Sequence, residues 1–338
     1  TTLLYTGDAN DNRDLTNDAN AGDFKPDWLW LKERSSTSSH QLHDSTRGTS
    51  FAVMSDSTAA EDEDANRVQA FQTNGFQVGT ASTVNQNTIT MVAWQWKANG
   101  GTATATISES GNNPAAVVQA NPTAGFSIIT YTGTGASGTI AHGLGARPKF
   151  IIIKNRDANE GWHINGELLT GNANGGFHFN ADAEYTGGSN NSTASSIDAN
   201  NIHVISSGNV NTNAQKYVAY VFAEKQGYSK FGSYIGNGNA NGTFVYTGFK
   251  PAWVMCKSTA STSDWYIYDN KREGYNIDND HLLANSTAAE ATADEIDMLS
   301  NGFKLRIATD PNVAEAYIYM AFAEHPFVSS EGVPTTAR

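Results

Sequence analysis

The chain has 338 residues, and 21 Lys and Arg against 34 Asp and Glu give a net charge of −13. An acid excess of this size repels phosphate backbones and anionic bilayers, which excludes nucleic acid and membrane surfaces as general partners. The single cysteine, Cys256, excludes an intrachain disulfide, and no run of 18 apolar residues is present to span a bilayer as a helix. Gly, Asn, Thr, Ser and aromatic residues are abundant while Lys and Leu are scarce, the composition of short strands joined by many turns.

Thr1 to Tyr5 lack the basic and apolar regions of a signal peptide, and the chain opens without Met, so a processed or partial product is expected. Asp8, Asn10, Asn12 and Asp14 then alternate like the start of an EF-hand loop. Arg13 replaces the Gly of that loop's sixth position and Ala19 the Glu of its twelfth. An EF-hand is therefore rejected; a looser calcium site of oxygen ligands stays a candidate beside an Asx-rich turn. No other cofactor or metal site is indicated.

The next element recurs. Lys25-Pro26 leads into Trp28-Leu29-Trp30-Leu31-Lys32, Arg147-Pro148 into Phe150-Ile151-Ile152-Ile153-Lys154, and Lys250-Pro251 into Trp253-Val254-Met255-Cys256-Lys257. Four consecutive apolar residues in a strand imply cover on both faces, because side chains alternate. A strand near the end of each copy recurs too, as Met91–Ala98, Tyr217–Glu224 and Tyr317–Glu324. The proline precedes the aromatic of that strand (Trp96, Phe222, Phe322) by 70, 74 and 71 residues. Between them, Thr73-Asn74-Gly75-Phe76 matches Ser300-Asn301-Gly302-Phe303, with Ile202 in the slot of the middle copy; Asn-Gly predicts hairpins there. Tyr-x-Gly opens each copy at Tyr5, Tyr131 and Tyr234. Four markers in one order, three times over, indicate duplication. The predicted fold is all-β, three tandem sandwich-like (jelly-roll or lectin-like) modules over residues 1–98, 125–224 and 225–338. Residues 99–124 read as a polar linker or long excursion and the readiest place for a protease to cut. Short helices are expected over Ala59–Gln69 and Ala288–Met298.

Few residues suggest chemistry. Asp44 and Arg47, repeated as Asp269 and Arg272, read as a structural pair at a strand end. Glu61 to Asp64 reads as a solvated acidic loop. Gly133, Gly135 and Gly138 match GxGxxG, but a strand rather than a helix follows. The eight histidines form no zinc or triad pattern, and His40 falls in a packing slot shared with Trp162 and Trp265. Trp162 and Trp265 lie nearest to loops and are the candidates for stacking on a sugar ring. Glu295-Ile296-Asp297-Met298 is similar to the paired-carboxylate strand of laminarinase-type β-glucanases, but its final acid is missing, which makes a glycoside hydrolase the weakest reading.

GYSKFGSYIGNG (227–238), FVYTGFKP (244–251), LSNGFKLR (299–306), YIYMAFAEHPF (317–327) and GVPTTAR (332–338) resemble a repeat family abundant among marine tailed bacteriophages. The resemblance covers essentially the whole chain and transfers no functional residue. It implies a non-enzymatic virion structural protein, an appendage (tail fibre) or capsid decoration component assembled in the host cytoplasm. Its partners would be other virion proteins, further copies of itself as a trimer, and a host surface glycan. A carbohydrate-binding, lectin-like module is the alternative.

Overall fold

The computed structural model describes residues 1–18, 24–167, 177–183, 197–273, 276 and 278–325. The described residues form an all-β fold of antiparallel sheets; the single helix among them is one turn, Ser82–Asn85. Three large sheets follow one another along the chain, and a common strand order runs through them. An opening strand pairs with a closing strand, which pairs with an anchor strand, which pairs with the strand after it. The opening strands are Thr2–Thr6, Phe126–Thr132 and Ser229–Ile235; the closing strands are Thr90–Trp96, Lys216–Phe222 and Ala316–Ala323. The anchor strands are Trp28–Glu33, Phe150–Asn155 and Pro251–Ser258. Register is the same in each: Trp28 pairs Trp96, Phe150 pairs Phe222 and Trp253 pairs Phe322.

A small layer covers one face of each large sheet. Arg13–Leu15 with Val68–Gln72 and Gly75–Val78 covers the first, Gly138–Ala141 with Asn201–Val204 the second, and Phe244–Tyr246 with Ala291–Leu299 and Gly302–Leu305 the third. The four-residue apolar runs now have a physical reason. Leu29 and Leu31 face the small layer and pack with Leu15, Phe76 and Val78; Trp28 and Trp30 face the other way. On that side the three large sheets share one aromatic core. Trp28 lies 4.5 Å from Tyr220, Trp96 lies 5.7 Å from Phe322, and Phe222 lies 6.0 Å from Phe322, all between ring centroids. Each fully buried aromatic contributes roughly 1.5–3 kcal/mol, so this core binds the sheets to one another more strongly than any single polar contact could.

Neither predicted helix forms. Ala291–Leu299 pairs with Gly302–Leu305, and Ile296 and Met298 are buried on alternate positions, a period of two that sheet pairing satisfies and a helix would not. Within 59–69, Asp62–Glu63 and the start of Val68–Gln72 are likewise extended. Residues 99–124 are not a free linker. Ala105–Ile107 and Ala116–Asn121 add two strands to the edge of the second sheet. Gln119 fastens them to the first third of the chain, donating to Ser45 Oγ (3.0 Å) and Thr46 Oγ1 (2.8 Å) and accepting from the Asn99 and Gly101 amides. The Asn-Gly hairpins occur as expected, with Gly75 and Gly302 opening the return strands. A Cβ on either would collide with a carbonyl of the adjoining strand, Leu15 O or Val245 O, so only glycine fits.

Candidate functional site

The densest polar chemistry lies on the seams between the sheets. Asp44, at the end of the strand after the first anchor, accepts from the Thr46 and Arg47 amides and pairs with the Arg47 guanidinium. Tyr220 of the second closing strand donates to Asp44 at 2.8 Å and accepts from Arg47 at 3.1 Å. Asp269 and Arg272 repeat this arrangement, and Trp94 Nε1 of the first closing strand donates to Asp269 at 2.9 Å. Trp94 and Tyr220 are equivalent, each two residues before the aromatic of its closing strand. Both pairs are fully buried, so the structural-pair reading holds, and the pairs also join neighbouring sheets.

Glu61 joins Arg47 of its own sheet (2.7 Å) to Arg156 of the second (2.6 Å), and Glu290 joins Arg272 of the third (2.9 Å) to Arg34 of the first (2.7 Å). Burial pushes both glutamates up, but the two guanidiniums beside each more than offset it and hold the carboxyls below their usual range. Glu61 is thus a largely covered bridge, since a carboxylate between two arginines is better satisfied there than in water, while Asp62 and Glu63 beside it are exposed as the acidic-loop reading expects.

The anchor lysines point the same way. Lys32 donates to Thr287 O (3.3 Å) of the third sheet, Lys154 to Thr58 O (2.9 Å) of the first, and Lys257 to Asp182 O (3.1 Å) of the second. Their contacts close a ring: first on third, second on first, third on second. All three side chains are buried, and burial lowers each ammonium to about 8. The slot shared by His40, Trp162 and Trp265 follows the ring. His40 Nε2 donates to Leu283 O, Trp162 Nε1 donates to Met54 O, and Trp265 packs edge-on against Phe177 and Phe179. Trp162 is 0% exposed and Trp265 1%, so neither can stack on a sugar; they are seam residues, drawn in by the aromatic core.

The loops after the opening strands share a second device. Tyr5, Tyr131 and Tyr234 donate their hydroxyls to Val84 O, Val210 O and Pro311 O. The residue following each acceptor is a fully buried asparagine, Asn85, Asn211 or Asn312. Each asparagine accepts through Oδ1 from the amide after Tyr-x-Gly (Asp8, Thr134, Asn237) and donates through Nδ2 to carbonyls of the same loop. This clamp decides the fate of the candidate calcium loop. Asp8 accepts from the Asn10 amide and Asn85 and pairs with Arg13 at 3.3 Å; Asp14 instead accepts from Gln72 and Gln77. Asn12 is left-handed (φ 55°) and turns its amide to Asp11. Asp8, Asn12 and Asp14 are thus engaged by separate protein partners, and no group of three or more His, Cys, Asp or Glu that could hold a metal occurs among the described residues.

The nearest approach to a catalytic constellation is Glu295, which accepts from Tyr268 and lies 3.0 Å from His281 Nδ1. Glu295 is 3% exposed and Tyr268 0%, sealed between strands, while Asp297 pairs with Arg306 at 3.5 Å. Glu295 therefore faces no open cleft, and only Asp297 of the two carboxyls reaches solvent. A shallow depression lined by Thr104, Ala105, Val118, Ala120, Pro122, Ala141 and Gly143 carries no titratable side chain.

Sequence reasoning missed the asparagine clamp and the reach of Glu61, Glu290 and the anchor lysines. The clamp had a signal: Val-Asn-x-Asn at 84–87 and again at 210–213, 11 residues before Trp96 and Phe222 from the first asparagine. No helix among the described residues is long and apolar enough to cross a membrane. Neither a curated protein nor a solved structure matches the chain. Residues 1–326 match the family model described as domain of unknown function DUF7483, and the chain belongs to that family.

Proposed function

We propose that this protein is a non-enzymatic structural component of a virus particle, a tail appendage or a capsid decoration protein. The observation that supports this reading best is where the buried charge goes. Asp44, Arg47, Glu61, Arg156, Arg34, Arg272, Glu290 and the three anchor lysines are all engaged in holding one sheet to the next. Ion pairs largely covered and hydrogen-bonded in this way suit a particle component that keeps a single geometry. The resemblance to phage structural repeats supplies the particle. Immunogold electron microscopy of particles from cells producing the protein tests it: label on tails or heads is expected, and unlabelled particles beside abundant free protein would end the reading.

A carbohydrate-binding role is the second reading. It no longer rests on Trp162 and Trp265, and an exposed aromatic pair on the third sheet favours it.

A further inference from the structure

Among the described residues, four large apolar side chains are exposed: Ile235 (63%), Phe244 (44%), Tyr246 (65%) and Val313 (39%). Phe244 and Tyr246 belong to the small layer of the third sheet, Ile235 ends its opening strand on the face opposite Tyr234, and Val313 lies in the loop before its closing strand. Thr243 Oγ1 donates to Ile235 O at 2.7 Å, closing the loop that Phe244 follows; Gly236 packs against Val313 O. Phe244 and Tyr246 share the outer face of a short strand, with buried Val245 between them. In the order of strands, that one ends the third sheet.

The other two sheets supply an internal control. Leu15, Ile140 and Val245 are equivalent, pairing with Phe76, Ile202 and Phe303. The positions flanking them are Asp14 and Thr16 in the first copy, Thr139 and Ala141 in the second, and Phe244 and Tyr246 in the third. Ile235 corresponds to Thr6 and Thr132, each following the opening tyrosine. Val313 corresponds to Gln86 and Thr212, each following the clamp asparagine. The scaffold is therefore built twice with polar or small residues at these positions and has no need of apolar ones.

We infer that the exposed aromatic patch of Phe244 and Tyr246 is a binding site for a neutral oligosaccharide. Two aromatic side chains are too few to anchor a stable contact between copies, which takes about 20–30 residues and about 800 Å² a side. A charge of −13 on each copy opposes self-association further. A sugar ring matches what is present. Its C–H faces pack on exposed aromatic rings, and its hydroxyls accept from amide donors. Asn239 and Asn241 are exposed beside the patch, and their Oδ1 atoms are already engaged by the Asn241 amide and by Lys304 Nζ, which leaves their NH₂ groups as donors. The inference stands apart from the virion reading, because a chain absent from particles can still bind the sugar.

The test is affinity electrophoresis of the full chain in native gels containing laminarin, glucomannan, galactan or dextran. At least one polymer is expected to retard it. Phe244→Thr with Tyr246→Ala, which copies the second sheet at both positions, is expected to weaken that retardation at least tenfold with unchanged unfolding by urea. No retardation in any of the four polymers overturns the inference, as does retardation that the double substitution leaves intact. Sedimentation showing a dimer that the same substitution dissolves overturns it too, and makes the patch an interface between copies.

Discussion

At the scale of single residues, the buried asparagine after each acceptor carbonyl carries more of the fold than its chemistry advertises. An Asn side chain offers one acceptor and two donor hydrogens in a plane. Asn211 uses Oδ1 for the Thr134 amide at 2.9 Å and Nδ2 for Ala136 O and Thr134 Oγ1, all in a loop about 75 residues earlier. Truncation to alanine leaves those partly buried groups without this partner and opens a hole at a side chain that is 0% exposed. Asn211→Ala should therefore lower stability by about 2–4 kcal/mol in urea unfolding. A loss below about 1 kcal/mol would show that the loop holds itself together without the clamp. The Gly of Tyr-x-Gly belongs to the same device, since a Cβ on Gly7, Gly133 or Gly236 would meet Gln86 O, Thr212 O or Val313 O. Tyrosine, glycine and asparagine are thus one motif, although 79 residues separate Tyr131 from its acceptor.

At the scale of elements, the anchor and closing strands were legible because both of their faces are apolar, and the pairing of Trp28 with Trp96 and its counterparts follows from that pattern. The strands read as helices were not legible, because Ala-rich acidic stretches have helical propensity that only sheet pairing overrides. What joins the elements is the set of bridging carboxylates. Glu61 accepts from guanidiniums belonging to two sheets, Arg47 and Arg156. Glu61→Ala leaves two nearly buried cations facing each other and should cost about 3–5 kcal/mol. A double-mutant cycle with Arg156→Met checks it: strong coupling between the two positions is expected, and additive losses would mean that the bridge does not join the sheets.

At the scale of the whole molecule, burial of titratable groups sets the response to pH. His40, His43 and His163 are lowered to about 3, chiefly by burial, against an ordinary value near 6.5. Between those values the unfolded chain binds protons that the folded chain refuses, so stability falls as pH drops below about 6.5. Loss of the low Glu61 and Glu290 carboxylates adds to this further into acid. Glu33 and Asp56, raised by burial, oppose it in the carboxylate range. The anchor lysines act at the other end. Each is lowered to about 8 by burial from an unfolded value of 10.5, so the unfolded chain holds more protons across that window and stability rises with pH from about 8. Buried tyrosines such as Tyr220 and Tyr268, raised well above 10, reverse the trend above about pH 10. Urea midpoints should fall between pH 6.5 and 4 and climb between pH 8 and 10. A midpoint that declines steadily above pH 8 would show that the lysines are not held as buried cations.

The sequence by itself determined the strand-rich class, the three anchor strands with cover on both faces, and the Asn-Gly hairpins. These follow from local alternation and from backbone positions that only glycine tolerates, and both are written in neighbouring residues. Only the tertiary structure decided which face of each strand meets which layer, and that residues 99–124 belong to a sheet. It alone buried Trp162 and Trp265 in the seams and left Phe244 and Tyr246 in solvent. Those outcomes depend on contacts between residues far apart in the chain, and an aromatic side chain reads the same in sequence whether a neighbouring sheet covers it or not.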